Sequence, residues 1–123
     1  MTTRTVPLER LRRSVDVQRA LRQGDRRAGR FMAVHAFARP TGEEPTATRL
    51  TVIASRRVGG AVRRNRAKRL LREAARGHLW RGGLDVVLVA RADCADSGLG
   101  EVGKELDRLA GLLDARPTVE TRA

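Results

Sequence analysis

The chain has 123 residues and a formal net charge of +12, with a pI near 11.7. Its length supports one modest core, and its charge is the electrostatic footprint of a protein with a polyanionic partner. The lone Cys94 excludes an intrachain disulfide and a cysteine metal cluster. No apolar run reaches the roughly 18 residues of a helical membrane span. No secretory signal is legible, so a reducing cytoplasm is the expected location. Aromatic residues are limited to Phe31, Phe37 and Trp80, so the core must rest on Leu, Val, Ile and Ala.

Residues 1–13 are basic and contain Pro7, which predicts an extended N-terminal arm. Ser14 is placed to cap a helix with Asp16 in its first turn. Val17, Ala20 and Leu21 share one face of that helix, and Gly24 stops it. "RFMAVHAFAR" from Arg30 to Arg39 reads as a strand with Phe31, Ala33, His35 and Phe37 on one side. The polar connector "PTGEEPT" and a second strand, "RLTVIAS" from Arg49 to Ser55, predict a β-hairpin.

Gly59 and Gly60 break that strand, and a helix is predicted from Ala61 to Gly77. "LDVVLVAR", Leu84 to Arg91, is apolar enough to be a central strand. A last helix, about Leu99 to Asp114, carries Val102, Leu106, Leu109, Ala110 and Leu113 on one stripe. Residues 115–123 read as a disordered tail. Helices and strands in this order predict a small α/β (α+β) two-layer sandwich in one domain over residues 14–114.

The informative segment is "RRVGGAVRRNRAKRLLREAARG", Arg56 to Gly77, with nine basic residues and one acid, Glu73. On a helical wheel Ala67, Leu70, Leu71 and Ala74 gather on one side. Asn65, Lys68, Arg69, Arg72 and Arg76 gather opposite, with Arg66 at the edge. A merely solvated charged face would carry compensating acids at i, i+4, and here there is almost none. A membrane-surface helix would carry a bulkier apolar side than this half-alanine one. The pattern fits a helix seated on a sheet with its cations turned to phosphates. Asn65, neutral and both donor and acceptor, suits a base edge or a 2′-hydroxyl. The two histidines and one cysteine make no convincing metal site, and no carboxylate pair or Ser-His-Asp arrangement stands out. The chain reads as a binder with no catalytic residue of its own.

The segment Arg56–Arg57, Val58–Gly59–Gly60–Ala61–Val62, Arg64–Asn65–Arg66, Lys68–Arg69 resembles the signature of the bacterial ribonuclease P protein family. "RLRRSVDVQRALRQG" and "LDVVLVAR" are similar to that family's first helix and late strand, so the likeness spans about residues 8–113. The resemblance implies a fold similar to ribosomal protein S5 domain 2, with a left-handed βαβ crossover. It implies a protein subunit that binds a catalytic RNA and the 5′ leader of precursor tRNA. The cleavage, an endonucleolytic removal of the leader, would be carried out by the RNA with Mg²⁺ that it holds, and no obligate protein partner is expected.

Carried onto this chain, Arg56, Arg57, Arg64, Asn65, Arg66, Lys68, Arg69, Arg72 and Arg76 would face the catalytic RNA. Val17, Leu21, Phe31 and His35 would line a leader cleft between the first helix and the sheet. Val17, Leu21 and His35 stand where the family commonly has aromatic residues, so leader binding here would lean on arginine and aliphatic contact. The alternative is a ribosomal or general structured-RNA-binding protein with no part in cleavage. A major-groove DNA binder is disfavoured, because the basic helix lies between strands and has no helix-turn-helix partner.

Overall fold

Leu84–Ala90 is buried at every position except the half-buried Val89, so this strand needs neighbours on both edges and cover on both faces. The structure, a computed structural model, describes residues 7–40 and 47–114. Its elements in chain order are β1 (Leu8–Arg10), α1 (Ser14–Gln23), β2 (Asp25–Ala28), β3 (Met32–Ala38), β4 (Thr48–Ile53), α2 (Ala61–Arg76), β5 (Leu84–Ala90), a 3₁₀ turn (Ala92–Asp96) and α3 (Leu99–Asp114). The strands form one mixed sheet in the order β1-β4-β5-β3-β2. β4 is parallel to β1 and β5, and β3 is antiparallel to β5 and β2.

Two apolar clusters flank the sheet. On one face Met32, Val34, Leu50, Val52, Val86 and Leu88 meet Ala67, Leu71 and Ala74 of α2 and Val102, Leu106 and Leu109 of α3. On the other, Val17, Ala20 and Leu21 of α1 meet Phe37, Ile53, Val87 and Val89. The architecture is therefore α+β, with α2 and α3 layered on one side of the sheet and α1 on the other.

Several expectations are corrected. The predicted hairpin between the strands at 30–39 and 49–55 does not form, because β5 inserts between β3 and β4. The doubly apolar β5 satisfies both faces only in the middle of the sheet. The hairpin present is β2–β3, with Asp25 opposite Ala36 and Ala28 opposite Ala33. Part of the predicted N-terminal arm is strand β1, registered Leu8↔Thr48 to Arg10↔Leu50, and Leu11 is buried after it. The expected disordered tail, 115–123, and most of the connector after Pro40 lie outside the described residues.

Ser14 is the first residue of α1 rather than its cap; the cap position is Arg13, which makes no side-chain capping hydrogen bond among the described residues. α1 ends at Gly24, whose backbone is extended rather than left-handed. Phe31 precedes β3 and joins the α2/α3 cluster, so it does not share a face with His35 and Phe37. A buried carboxylate fixes it there. Glu105 of α3 accepts the backbone N–H groups of Arg30 (2.8 Å), Phe31 (2.7 Å) and Met32 (3.1 Å). A Cβ on Gly29 would stand 2.5 Å from that carboxyl carbon, so only glycine allows the approach.

The α1 face is held by an ion network around Asp85, which is fully buried. The parallel register sets Asp85 beside Arg49, and Arg49 Nε and Nη2 each donate to it at 2.7 Å. Arg39 Nη1 donates at 2.7 Å, and Arg19 Nη2 lies at 3.4 Å. Asp16 on α1 joins through Arg19 (3.3 Å) and Arg49 (3.6 Å). Burial alone would raise the Asp85 pKa. The hydrogen bonds and charges of Arg49 and Arg39 outweigh it and hold the group below the usual carboxylate range.

Two expectations follow from this packing. Leu71→Ala, at a fully buried position, is expected to lose about 2–5 kcal/mol in urea unfolding, and Leu70→Ala, at the half-buried neighbouring position, distinctly less. Asp85→Asn is expected to cost up to about 3–5 kcal/mol at neutral pH, because it leaves half-buried guanidinium groups without their counter-charge. A depressed carboxylate pKa stabilises the fold above the unfolded value, about 3.9, and that contribution fades as pH falls through the folded value. The gap between wild type and Asp85→Asn should therefore close below about pH 4; a pH-independent gap would show that shape, not charge, is lost.

Candidate nucleic-acid interface

α2 is bound to the fold by its small apolar flank. Ala67, Leu71, Ala74 and Ala75 are buried, and Leu70 packs against the same cluster half-exposed. Both ends are tied down. At the C-terminal end the Trp80 indole Nε1 donates to the Ala75 carbonyl at 2.9 Å, and His78 Nδ1 meets Asp107 of α3 at 2.6 Å.

At the N-terminal end the tie is Arg63, a residue that sequence reasoning left out of the site. Its Nε donates to the Val58 carbonyl (2.9 Å), and its Nη1 and Nη2 donate to Asp96 (2.8 and 3.0 Å). Asp96 is held below the usual carboxylate range, first by the hydrogen bond and charge of Arg63, with a smaller share from Arg66. Gly59, at φ +138°, makes this clamp possible: a Cβ there would stand 2.7 Å from Arg63 Cδ. The Gly59–Gly60 pair is thus the turn that lets Arg63 fold back under the helix.

The remaining cations of this segment are left outward. Asn65, Arg66, Arg69, Arg72 and Arg76 are exposed along α2, Arg64 and Lys68 are half-exposed, and Arg56 and Arg57 are exposed in the preceding turn. Among the described residues none of these cations is in an ion pair. The sequence-predicted stripe is therefore one continuous ridge, and Arg63 alone of its nine basic residues is drawn into the protein.

The predicted leader-cleft residues are not brought together. Val17 and Leu21 lie half-buried between α1 and the sheet, and His35 lies half-buried on the same sheet face. Phe31 sits on the opposite face. Burial, then the nearby Arg26 charge, lowers the His35 pKa, so its ring is neutral near pH 7, and its buried Nδ1 has no hydrogen-bond partner among the described residues. The aromatic ring on the α1 face is Phe37, with the Arg19 guanidinium 4.5 Å from its centroid. Period-2 alternation from His35 was the signal that could have named it. Beside α1 an open groove of about 400 Å³ is lined by Arg10, Leu11, Arg12, Ser14, Val17, Gln18, Thr51 and Ile53. It combines a basic rim with an aliphatic floor, and of the four predicted cleft residues only Val17 lines it.

Comparison with known proteins agrees with this geometry. Residues 7–114 match the family model described as Ribonuclease P. The ribonuclease P protein component of Symbiobacterium thermophilum is 39% identical over 110 residues, 85% of this chain and 92% of that one. That of Dehalococcoides mccartyi is 37% identical over 102 residues, covering 83% and 82%. Among solved structures, a Staphylococcus aureus RNase P protein mutant aligns with a TM-score of 0.71 at 25% identity, covering 85% of this chain and 87% of that one. The Thermotoga maritima RNase P protein aligns at 0.67 and 25% identity, covering 88% and 100%. On its fold, its basic helix and these relatives, the chain belongs to the bacterial ribonuclease P protein family, the protein component of an RNA-containing endoribonuclease.

Proposed function

We propose that this chain binds the catalytic RNA of ribonuclease P through the α2 ridge and the 5′ leader of precursor tRNA through the α1 side of the sheet. It thereby assists the endonucleolytic removal of the leader in the cytoplasm. The observation that carries this reading is the ridge itself, a row of cations on a helix clamped at both ends and, among the described residues, in no ion pair. Each phosphate it contacts releases condensed counterions, so affinity comes largely from the solvent and falls with salt. Arginine forks match pairs of phosphate oxygens, and Asn65 adds a neutral donor and acceptor for a base edge or 2′-hydroxyl.

For the leader, the groove beside Val17 offers Arg12 for phosphates and Val17 and Ile53 as an apolar floor. Leu21, His35 and Phe37 form the adjoining part of that face. Phe31, on the opposite face of the sheet, stands apart from this surface. The Mg²⁺ of the reaction is assigned mainly to the RNA. On this chain Asp93 is engaged by Arg30 (3.0 Å), Asp96 by Arg63 and Glu101 by the Gly98 N–H (3.1 Å). Among the described residues no group of three His, Cys, Asp or Glu stands together as a metal site. The protein's part is to bind and position, which needs no protein partner. Family membership favours this reading over a general structured-RNA binder.

The direct test adds the protein to the catalytic RNA at low Mg²⁺. Precursor-tRNA cleavage is expected to rise; well-folded protein that leaves the rate unchanged would refute the proposal. The ridge is tested separately by salt titration. Arg66→Ala and Arg69→Ala should each weaken RNA affinity and flatten the slope of log K against log salt by about 1. Arg63→Ala should instead lower the unfolding midpoint and leave that slope near wild type, since its guanidinium is already held by Asp96.

A further inference from the structure

A second groove, of about 290 Å³, lies at the sheet edge between β1, β4 and α2, lined by Leu8, Glu9, Arg10, Leu50, Thr51, Val52, Arg72 and Arg76. Strand alternation sorts these residues. Leu50 and Val52 belong to the α2-side cluster and Leu8 packs against it, so Arg10, two residues on from Leu8, points to the same side. Glu9 and Thr51 then offer the groove their backbone. Its side-chain lining is three aliphatic residues forming a floor and three guanidinium groups forming a rim. Among the described residues, neither Arg72 nor Arg76 has an ion-pair partner, and no acid stands opposite Arg10 in an ion pair.

We propose that this groove takes one unpaired nucleotide extruded from the catalytic RNA, its base laid on Leu8, Leu50 and Val52 and its flanking phosphates held by Arg10, Arg72 and Arg76. The proposal rests on the RNA-binding reading above and adds a discrete pocket to it. Three features favour this occupant. The volume suits a base with its sugar. The rim is cationic where the phosphates of an extruded nucleotide would stand. Arg72 and Arg76 are the C-terminal members of the α2 ridge, so an RNA strand lying along that ridge reaches the groove without a break. A flat basic surface would bind paired and unpaired RNA alike. A floor of aliphatic side chains beside guanidinium groups rewards a base that has left its stack, because the base loses water and the phosphates gain partners.

The test is nucleotide-resolution 2′-hydroxyl acylation of the catalytic RNA, free and with saturating full-length protein. With wild type, one or two unpaired nucleotides are expected to become protected. Leu8→Trp fills the groove without removing a cation. It should leave those nucleotides reactive while the rest of the footprint persists, with affinity down about 5- to 20-fold through lost burial of the base. Arg10→Glu, at an exposed position, is expected to lose the same protection and serves if Leu8→Trp fails to fold. Arg69→Ala, by contrast, should weaken binding yet restore the full footprint at saturation.

Identical footprints and affinities within about twofold for wild type and both groove variants would overturn the pocket and leave the RNA-binding reading standing. Wild type that protects no nucleotide of this RNA would overturn both. Binding of an oligoglutamate peptide that Leu8→Trp abolishes, with the RNA footprint untouched, would assign the groove to an acidic peptide instead.

Discussion

The fold depends on seating one strongly cationic helix through a flank made mostly of alanine. Small residues at 67, 74 and 75 bring the α2 backbone close to the sheet and α3, and Leu71 fills the gap between them. The like-charge neighbours Arg64–Lys68, Arg66–Arg69, Lys68–Arg72, Arg69–Arg72 and Arg72–Arg76 together cost about 1–2.5 kcal/mol at the usual few tenths per pair. Burying Leu71 alone returns about 1.5–3 kcal/mol, and the ties at Arg63 and Trp80 hold the ends. Packing therefore wins over repulsion, though by a margin small enough that phosphates settling on the ridge stabilise the folded helix further.

Acidic residues are deployed accordingly. Asp85 and Asp16 bind the arginines of the α1 face, Asp96 binds Arg63, Asp93 binds Arg30, and Glu105 holds three backbone N–H groups. These carboxylates organise the interior and its margins, and none is paired with the outward stripe of α2. A protein of this net charge could have scattered its anions over its cations and become a neutral mosaic. Here these carboxylates fasten strands, turns and helix ends, and the cations of the α2 stripe are left where a polyanion can reach them.

The helices and the central strand were legible in the sequence because their signals are local. The stripe of α3, the wheel of α2 and the continuous apolar run of β5 each follow from residue spacing alone. Topology was not local. Adjacent strands with a polar connector imply a hairpin, and only the two-sided burial of β5 explains why it displaces that pairing. β1 and β2 were illegible for another reason: "LER" and "DRRA" are short and largely charged, and they become strands by completing ladders along β4 and β3. Alternation alone puts Phe31 on the His35 face, but the strand starts one residue later, at Met32, where the Glu105 carboxylate turns the chain. Nothing in the sequence marks Arg63 among the nine basic residues of its segment; only Asp96, 33 residues away, distinguishes it.

The three-residue β1 joins these themes. Its pairing with β4 completes the sheet edge, and Arg10 and Thr51 line both grooves, one on the α2 side and one beside α1. An RNA strand following the α2 ridge past Arg72 and Arg76 therefore arrives at the same residues that open the α1 groove. Two surfaces on opposite sides of a sheet are normally independent binding sites. An edge strand this short brings the two grooves together at its rim, where Arg10 and Thr51 belong to the lining of both. The arrangement gives one small protein a continuous cationic path around an edge. That path suits a component that must touch its own RNA on one side and a substrate strand on the other.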